Sequence, residues 1–226
     1  ANEKRRKHKV AKDKLLATKT KEGGLLVVHT GKGKGKTTAA MGLVARCIGH
    51  GKKIGIVQFV KGKWETGERV VLEAFPELVT VTAMGEGFTW ETQDRARDIA
   101  AATAAWKRAK EMMEDPSLFL VLLDEINIVL RNNYIDIEEV VEYLRNKPRE
   151  KHVICTGRNA KPELIGVADL VTEMTEVKHH FRDGYKALVL GFGTVAKCLI
   201  QGGGQVLIPS SSSKSLFRCC KSLEPM

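Results

Sequence analysis

His29 to Ala40 reads HTGKGKGKTTAA. Ahead of it stands LLVVH (25–29), a Val- and Leu-rich run that predicts a strand buried on both faces, as in a parallel sheet. Behind it, Thr37 to Ile48 predicts a helix, closed by Gly49 and Gly51. A glycine-rich link from strand to helix that ends in Gly-Lys-Thr-Thr is the arrangement of a phosphate-binding loop. Gly31, Gly33 and Gly35 let the backbone turn tightly and aim its N–H groups inward. The helix starting near Lys36 adds the positive end of its dipole. Lys36 brings a point charge to phosphate oxygens, and Lys32 and Lys34 add charge beside it. The Thr37 hydroxyl is placed to ligate Mg2+, with Thr38 next in the loop. The pattern GxxxxGK[ST] has one departure, because Thr30 stands where its first glycine belongs. A Gly/Lys-rich surface turn is the alternative reading, and it leaves the flanking strand and helix unexplained.

Working outward, further strands and helices alternate. Ile54 to Val60 and Val79 to Ala83 predict strands, and Glu91 to Met113 a long helix ended by Asp115-Pro116. Leu118 to Leu123 (LFLVLL) is the most apolar run and predicts a central strand. Asp136 to Arg145 predicts a helix, Val153 to Thr156 a strand, and Leu170-Val171 and Ala187 to Leu190 two short strands more. Such alternation implies crossover units, and so an α/β, RecA-like P-loop fold with a mostly parallel sheet and helices on both faces. Residues 1–24 read as a basic, helix-compatible arm, 25–191 as the nucleotide- and ligand-binding domain, and 192–226 as a low-complexity tail of uncertain order.

The formal charge of +10 is uneven. Residues 1–24 hold nine Lys/Arg against three acids, and the body from 25 to 199 is left near +2. A basic arm is a possible nucleic-acid footprint, but no recognition module accompanies it, so no nucleic-acid partner is expected. No apolar run reaches the roughly 18 residues of a membrane helix. The arm has no signal-peptide core, so the expected location is the cytoplasm, with no membrane partner. The five cysteines, Cys47, Cys155, Cys198, Cys219 and Cys220, form no CxxC pair and read as free thiols.

Asp124-Glu125 follows the apolar run 118–123. Acids at a strand end beside a phosphate loop can hold Mg2+ directly or through water. Further motifs follow in one order: VQFVKG (57–62), GEGFTW (85–90) with ETQDR, LLDEIN (122–127), TGR (156–158) and VKHHF (177–181). Together with TGKGKGKTTAA they resemble the P-loop type of ATP:corrinoid adenosyltransferase over about residues 5–188, most of the chain.

The resemblance implies a reaction, transfer of the adenosyl group of ATP to the cobalt of a cob(I) corrinoid with release of triphosphate. The loop then serves to hold a whole triphosphate as leaving group. By position, Gly31 to Thr38 match the nucleotide loop, and Thr37 and Glu125 the Mg2+ ligands, with Asp124 behind or beside them. Phe88 and Trp90 match the aromatic pair that crowds the lower face of the corrin and removes its lower axial ligand, easing reduction of cobalt. Lys36, Phe88 and Trp90 are thus the implied catalytic residues. Gln58, Lys61 and Trp64 are implied to line the corrinoid site. Arg158 and Lys178 are implied to contact phosphate or corrinoid carboxamides. His179 and His180 read as structural or surface residues and not metal ligands, since no His/Cys/Glu set has zinc-like spacing. The implied partners are ATP, cobalamin or a corrinoid precursor, an electron donor such as a reduced flavoprotein, and a second copy in a homodimer. The arm is implied to form a helix over an active site. Family members end soon after the segment matching Val177 to Ala187, so the final residues depart from the pattern. Two rival classes stand beside this reading: a P-loop ATPase or kinase, and an ATP-switched nucleic-acid-binding module.

Overall fold

The computed structural model describes residues 2–60, 67–83 and 94–179. The chain divides into two units, 1–177 and 178–226. Of the second, only Lys178 and His179 lie among the described residues.

The first unit carries helix α1 (Asn2–Ala17), strand β1 (Leu26–Thr30), α2 (Lys36–Gly49), β2 (Ile54–Gln58), α3 (Gly67–Glu73) and β3 (Val79–Ala83). There follow α4 (Arg95–Glu114), β4 (Leu120–Asp124), α5 (Ile126–Arg131), α6 (Ile137–Arg145), β5 (His152–Thr156), α7 (Pro162–Val167) and β6 (Leu170–Glu173). The strands form one sheet in the order β3-β2-β4-β5-β1-β6. Every pairing in it is parallel.

Residues alternate between two apolar layers. Leu26, Val28, Val121, Leu123 and Val153 face a layer with Trp106, Met112 and Met113 of α4, Leu130 of α5 and Leu144 of α6. Val27, Ile54, Ile56, Leu120, Leu122 and Ile154 face the other, with Ala40 and Val44 of α2 and Leu72 of α3. A sheet covered on both faces explains why its central strands read as unbroken apolar runs.

Local chemistry fixes the boundaries. The Asp94 carboxylate accepts the Arg97 N–H at 3.1 Å and starts α4, and Asp136 accepts the Glu138 N–H at 3.0 Å and starts α6. Asp115 ends α4 in an extended conformation ahead of Pro116. The arm is helical from Asn2 to Ala17, and none of its residues is buried.

The strand order places β4, β5 and β1 side by side. Their carboxyl ends therefore bring three loops together, the place where open α/β sheets bind ligands. The expected strand at 187–190 and the 191/192 boundary lie outside the described residues.

Candidate active site

The loop after β1 leads into α2, whose first residue is Lys36. Gly31 and Gly35 have φ of 97° and 100°, a left-handed conformation that glycine adopts without penalty. Thr30, in place of the expected first glycine, has a role of its own. Its hydroxyl accepts the Ala160 N–H at 2.9 Å, and its carbonyl accepts the Met174 N–H at 2.9 Å. The chain after β6 thus packs along the loop. Gly33 donates its N–H to the Met174 carbonyl at 2.7 Å. A Cβ on Gly33 would lie 2.7 Å from that carbonyl oxygen. The Gly33 amide is therefore engaged by Met174.

Lys36 is 7% exposed, and its ammonium donates to the Gly33 carbonyl at 2.5 Å. Burial lowers its pKa; Glu125 opposes this, while Arg158 and Lys34 add to it. Lys32, Lys34 and Thr38 are exposed around the loop. His29, buried in β1, sits with Nδ1 3.2 Å from the Lys36 carbonyl and steadies the first turn of α2.

The acid pair meets the loop directly. Thr37 donates its hydroxyl to Asp124 Oδ1 at 3.0 Å. Thr156 donates to the same oxygen at 2.7 Å, and the Gln58 side chain bonds Asp124 as well. Burial raises the Asp124 pKa against these hydrogen bonds. Glu125 follows with φ of 62°, an uncommon conformation for a residue with a side chain. Burial, and then the neighbouring Asp124, push its pKa to about 7, although Lys36, Arg158 and Arg131 pull the other way. Arg158 is itself exposed, yet its charge acts on both Lys36 and Glu125. Asn127 donates to the Gly157 carbonyl at 2.9 Å.

Glu125 Oε2 and Asn127 Oδ1 are buried without a hydrogen-bond partner. A buried carboxylate oxygen with no donor is an open coordination position. Among the described residues no group of three or more His, Cys, Asp or Glu is gathered for a metal. Mg2+ is commonly held by one or two carboxylates, a hydroxyl and substrate phosphates, with no dedicated protein cage. Thr37, Asp124 and Glu125 fit that donor set.

The structure thus gathers Gly31 to Thr38, Asp124, Glu125 and Arg158 at one end of the sheet. Gln58 lies there too, bonded to Asp124. Phe88, Trp90, Lys61, Trp64 and His180 lie outside the described residues, and Lys178 belongs to the second unit. Sequence reasoning gave no role to His29, Asn127 or Thr156. The signal for Thr156 was its place at the end of a strand beside β1, which only the strand order reveals.

A parallel sheet with this loop between β1 and α2 defines a P-loop α/β fold. Residues 22–189 match the family model for the ATP:corrinoid adenosyltransferase BtuR/CobO/CobP. The chain belongs to that family. A corrinoid adenosyltransferase from Sinorhizobium is 56% identical over 183 residues, 80% of this chain and 86% of its own. One from Pseudomonas aeruginosa is 50% identical over 185 residues, 82% and 91% of the two chains. Among solved structures, that of the RadB recombinase aligns with 70% of this chain and 77% of its own, at 17% identity and a TM-score of 0.40. Among the described residues, no helix is long and apolar enough to cross a membrane.

Proposed function

We propose that this chain transfers the 5′-deoxyadenosyl group of ATP to the cobalt of a reduced cob(I) corrinoid and releases inorganic triphosphate, in adenosylcobalamin biosynthesis or salvage. The observation that carries this is the 3.0 Å hydrogen bond from Thr37 to Asp124, which joins the phosphate loop and the acid pair in one site. The family supplies the substrates, and the site's chemistry suits them. The electron pair of cob(I) attacks C5′, a cobalt–carbon bond forms, and the C5′–O bond breaks with its pair on triphosphate. Cobalt ends formally as Co(III). No proton moves, so the site needs no general base.

The residues' task is to stabilise the leaving group. The amides from Lys34 onward and the α2 dipole receive phosphate oxygens. Lys36 leaves the Gly33 carbonyl to meet them, and Lys32, Lys34 and Arg158 add charge at the rim. Thr37 and Glu125 would hold Mg2+, with Asp124 behind them. Bound there, Mg2+ would neutralise part of the triphosphate charge. By position in the family's motif, Phe88 and Trp90 would serve the corrin side of the reaction, where excluding a lower axial ligand eases reduction of cobalt.

The electron comes from a donor such as a reduced flavoprotein. The working form is a cytoplasmic homodimer that binds neither nucleic acid nor membrane. In support of the dimer, α1 exposes Val10, Leu15 and Leu16 to whatever covers it. Deleting residues 1–24 should weaken corrinoid binding and leave ATP binding intact. Unchanged activity would refute that role.

ATP carrying 18O at its 5′ oxygen tests the reaction class. Adenosyl transfer sends the label out in triphosphate. Label retained in ADP would show phosphoryl transfer instead.

A further inference from the structure

Thr156 closes β5 and is fully buried. Its one hydroxyl makes two hydrogen bonds. It donates to Asp124 Oδ1 at 2.7 Å and accepts the backbone N–H of Glu125 at 2.9 Å. The second bond matters because Glu125 holds φ of 62°, a conformation that costs on the order of 1 kcal/mol and persists only where its surroundings enforce it. On its other side the Glu125 carbonyl accepts the Ile128 N–H at 3.0 Å, which ties it to α5. The residue after Thr156 is shaped to the same neighbour. Gly157 has φ of 129°, and a Cβ there would lie 3.0 Å from Glu125 Oε2 and 2.8 Å from Asn127 Cβ. Thr156 and Gly157 therefore hold the acid pair from one strand over. One bonds it and the other leaves it room.

We infer that Thr156 is a positioning residue for adenosyl transfer: through one hydroxyl it fixes both the Asp124 carboxylate and the left-handed backbone of Glu125, and so sets the acid pair against Thr37. Partners that orient ligating groups typically govern metal affinity or activity by about 10–100-fold. The inference rests on the reading of Asp124 and Glu125 as cation-holding acids, and its test separates the two.

The test uses full-length protein with ATP and Mn2+, which is read by electron paramagnetic resonance without corrinoid or turnover, together with the Mg2+ half-saturation and the corrinoid KM of the complete reaction. Thr156→Val keeps the shape and removes the hydroxyl. It should raise the cation half-saturation about 10–100-fold and leave the corrinoid KM unchanged. Thr156→Ser restores the hydroxyl and should return the half-saturation to within a few-fold of the native value. If the Val protein does not fold, Thr156→Cys substitutes a weak thiol donor at nearly the size of serine and should show the same rise. A native half-saturation in the hydroxyl-less variant, with only the melting temperature lowered, would overturn the inference. So would a Ser variant as impaired as Val. Glu125→Gln is the reference: if it raises the half-saturation while loss of the Thr156 hydroxyl does not, this inference alone falls. If Glu125→Gln has no effect either, the reading of the acid pair falls.

Discussion

Glu125→Gln should make the metal-free protein more stable and the enzyme far less active. In the fold the Glu125 carboxyl titrates near 7, against an ordinary value of 4.5, because burial and the adjacent Asp124 disfavour its charge. The native state therefore holds the proton more tightly than the unfolded chain, and stability falls as pH rises from about 4.5 to about 7. Above that window the loss is constant. At 1.36 kcal/mol per decade, the interval from 4.5 to about 7 corresponds to about 3 kcal/mol. Glutamine carries no charge and escapes this cost. In a domain of this size 1 kcal/mol moves Tm by roughly 2–4 °C. In EDTA at pH 8 the variant should therefore melt about 6–12 °C higher, an upper bound that relaxation reduces. At pH 5 the gain should shrink to about 1 kcal/mol or less, because most of the window has not been crossed. Adenosyl transfer should drop at least about 100-fold, the scale of losing a group aimed at developing charge. Thermal melts at the two pH values and one activity measurement suffice. A Tm difference that is the same at pH 5 and pH 8, or a variant less stable at both, would refute the assignment of a strained, buried carboxylate at this position.

Lys36→Ala should cut kcat about 100–1000-fold by removing a buried charge from the leaving group, and a steady-state series over ATP checks it. Gly33→Ala should force the loop off Met174, because its Cβ would stand 2.7–2.8 Å from main-chain atoms there; ATP affinity by calorimetry should fall. Gly42→Ala, in α2 with nothing within 4 Å of the new methyl, is the matched control and should add about 0.4–1 kcal/mol of stability in a denaturant titration. Phe88→Ala and Trp90→Ala should slow adenosylation from cob(II) with a reductant and leave the ATP KM unchanged, which separates corrin handling from nucleotide binding.

The fold was legible wherever local chemistry repeats. The unbroken apolar runs at 25–29 and 118–123 marked strands covered on both faces, and Asp136 and Asp115-Pro116 sit at real helix ends, whereas the cap of α4 is Asp94 and the expected start was Glu91. The short helices α3, α5 and α7 escaped because six or seven residues carry too little period to read. The sheet is wholly parallel among the described strands, where a mostly parallel one was expected. In the site, the loop and the acid pair were visible as motifs. What joins them was not, since the Thr156 hydroxyl reaches 32 residues back to Asp124 and Met174 reaches Gly33 from the far end of the unit. The glycines were read as serving phosphate alone, and Gly33 turns out to serve the approach of β6's extension. Gln58 was read toward the corrinoid, and it also bonds Asp124.

The most direct test is an anaerobic reaction of the full chain with ATP, Mg2+ and cob(I)alamin, followed by the corrinoid spectrum and by identification of the phosphate released. Adenosylcobalamin with one triphosphate for each is the predicted result. Orthophosphate release with no change at cobalt would contradict the account and reassign Glu125 to positioning water.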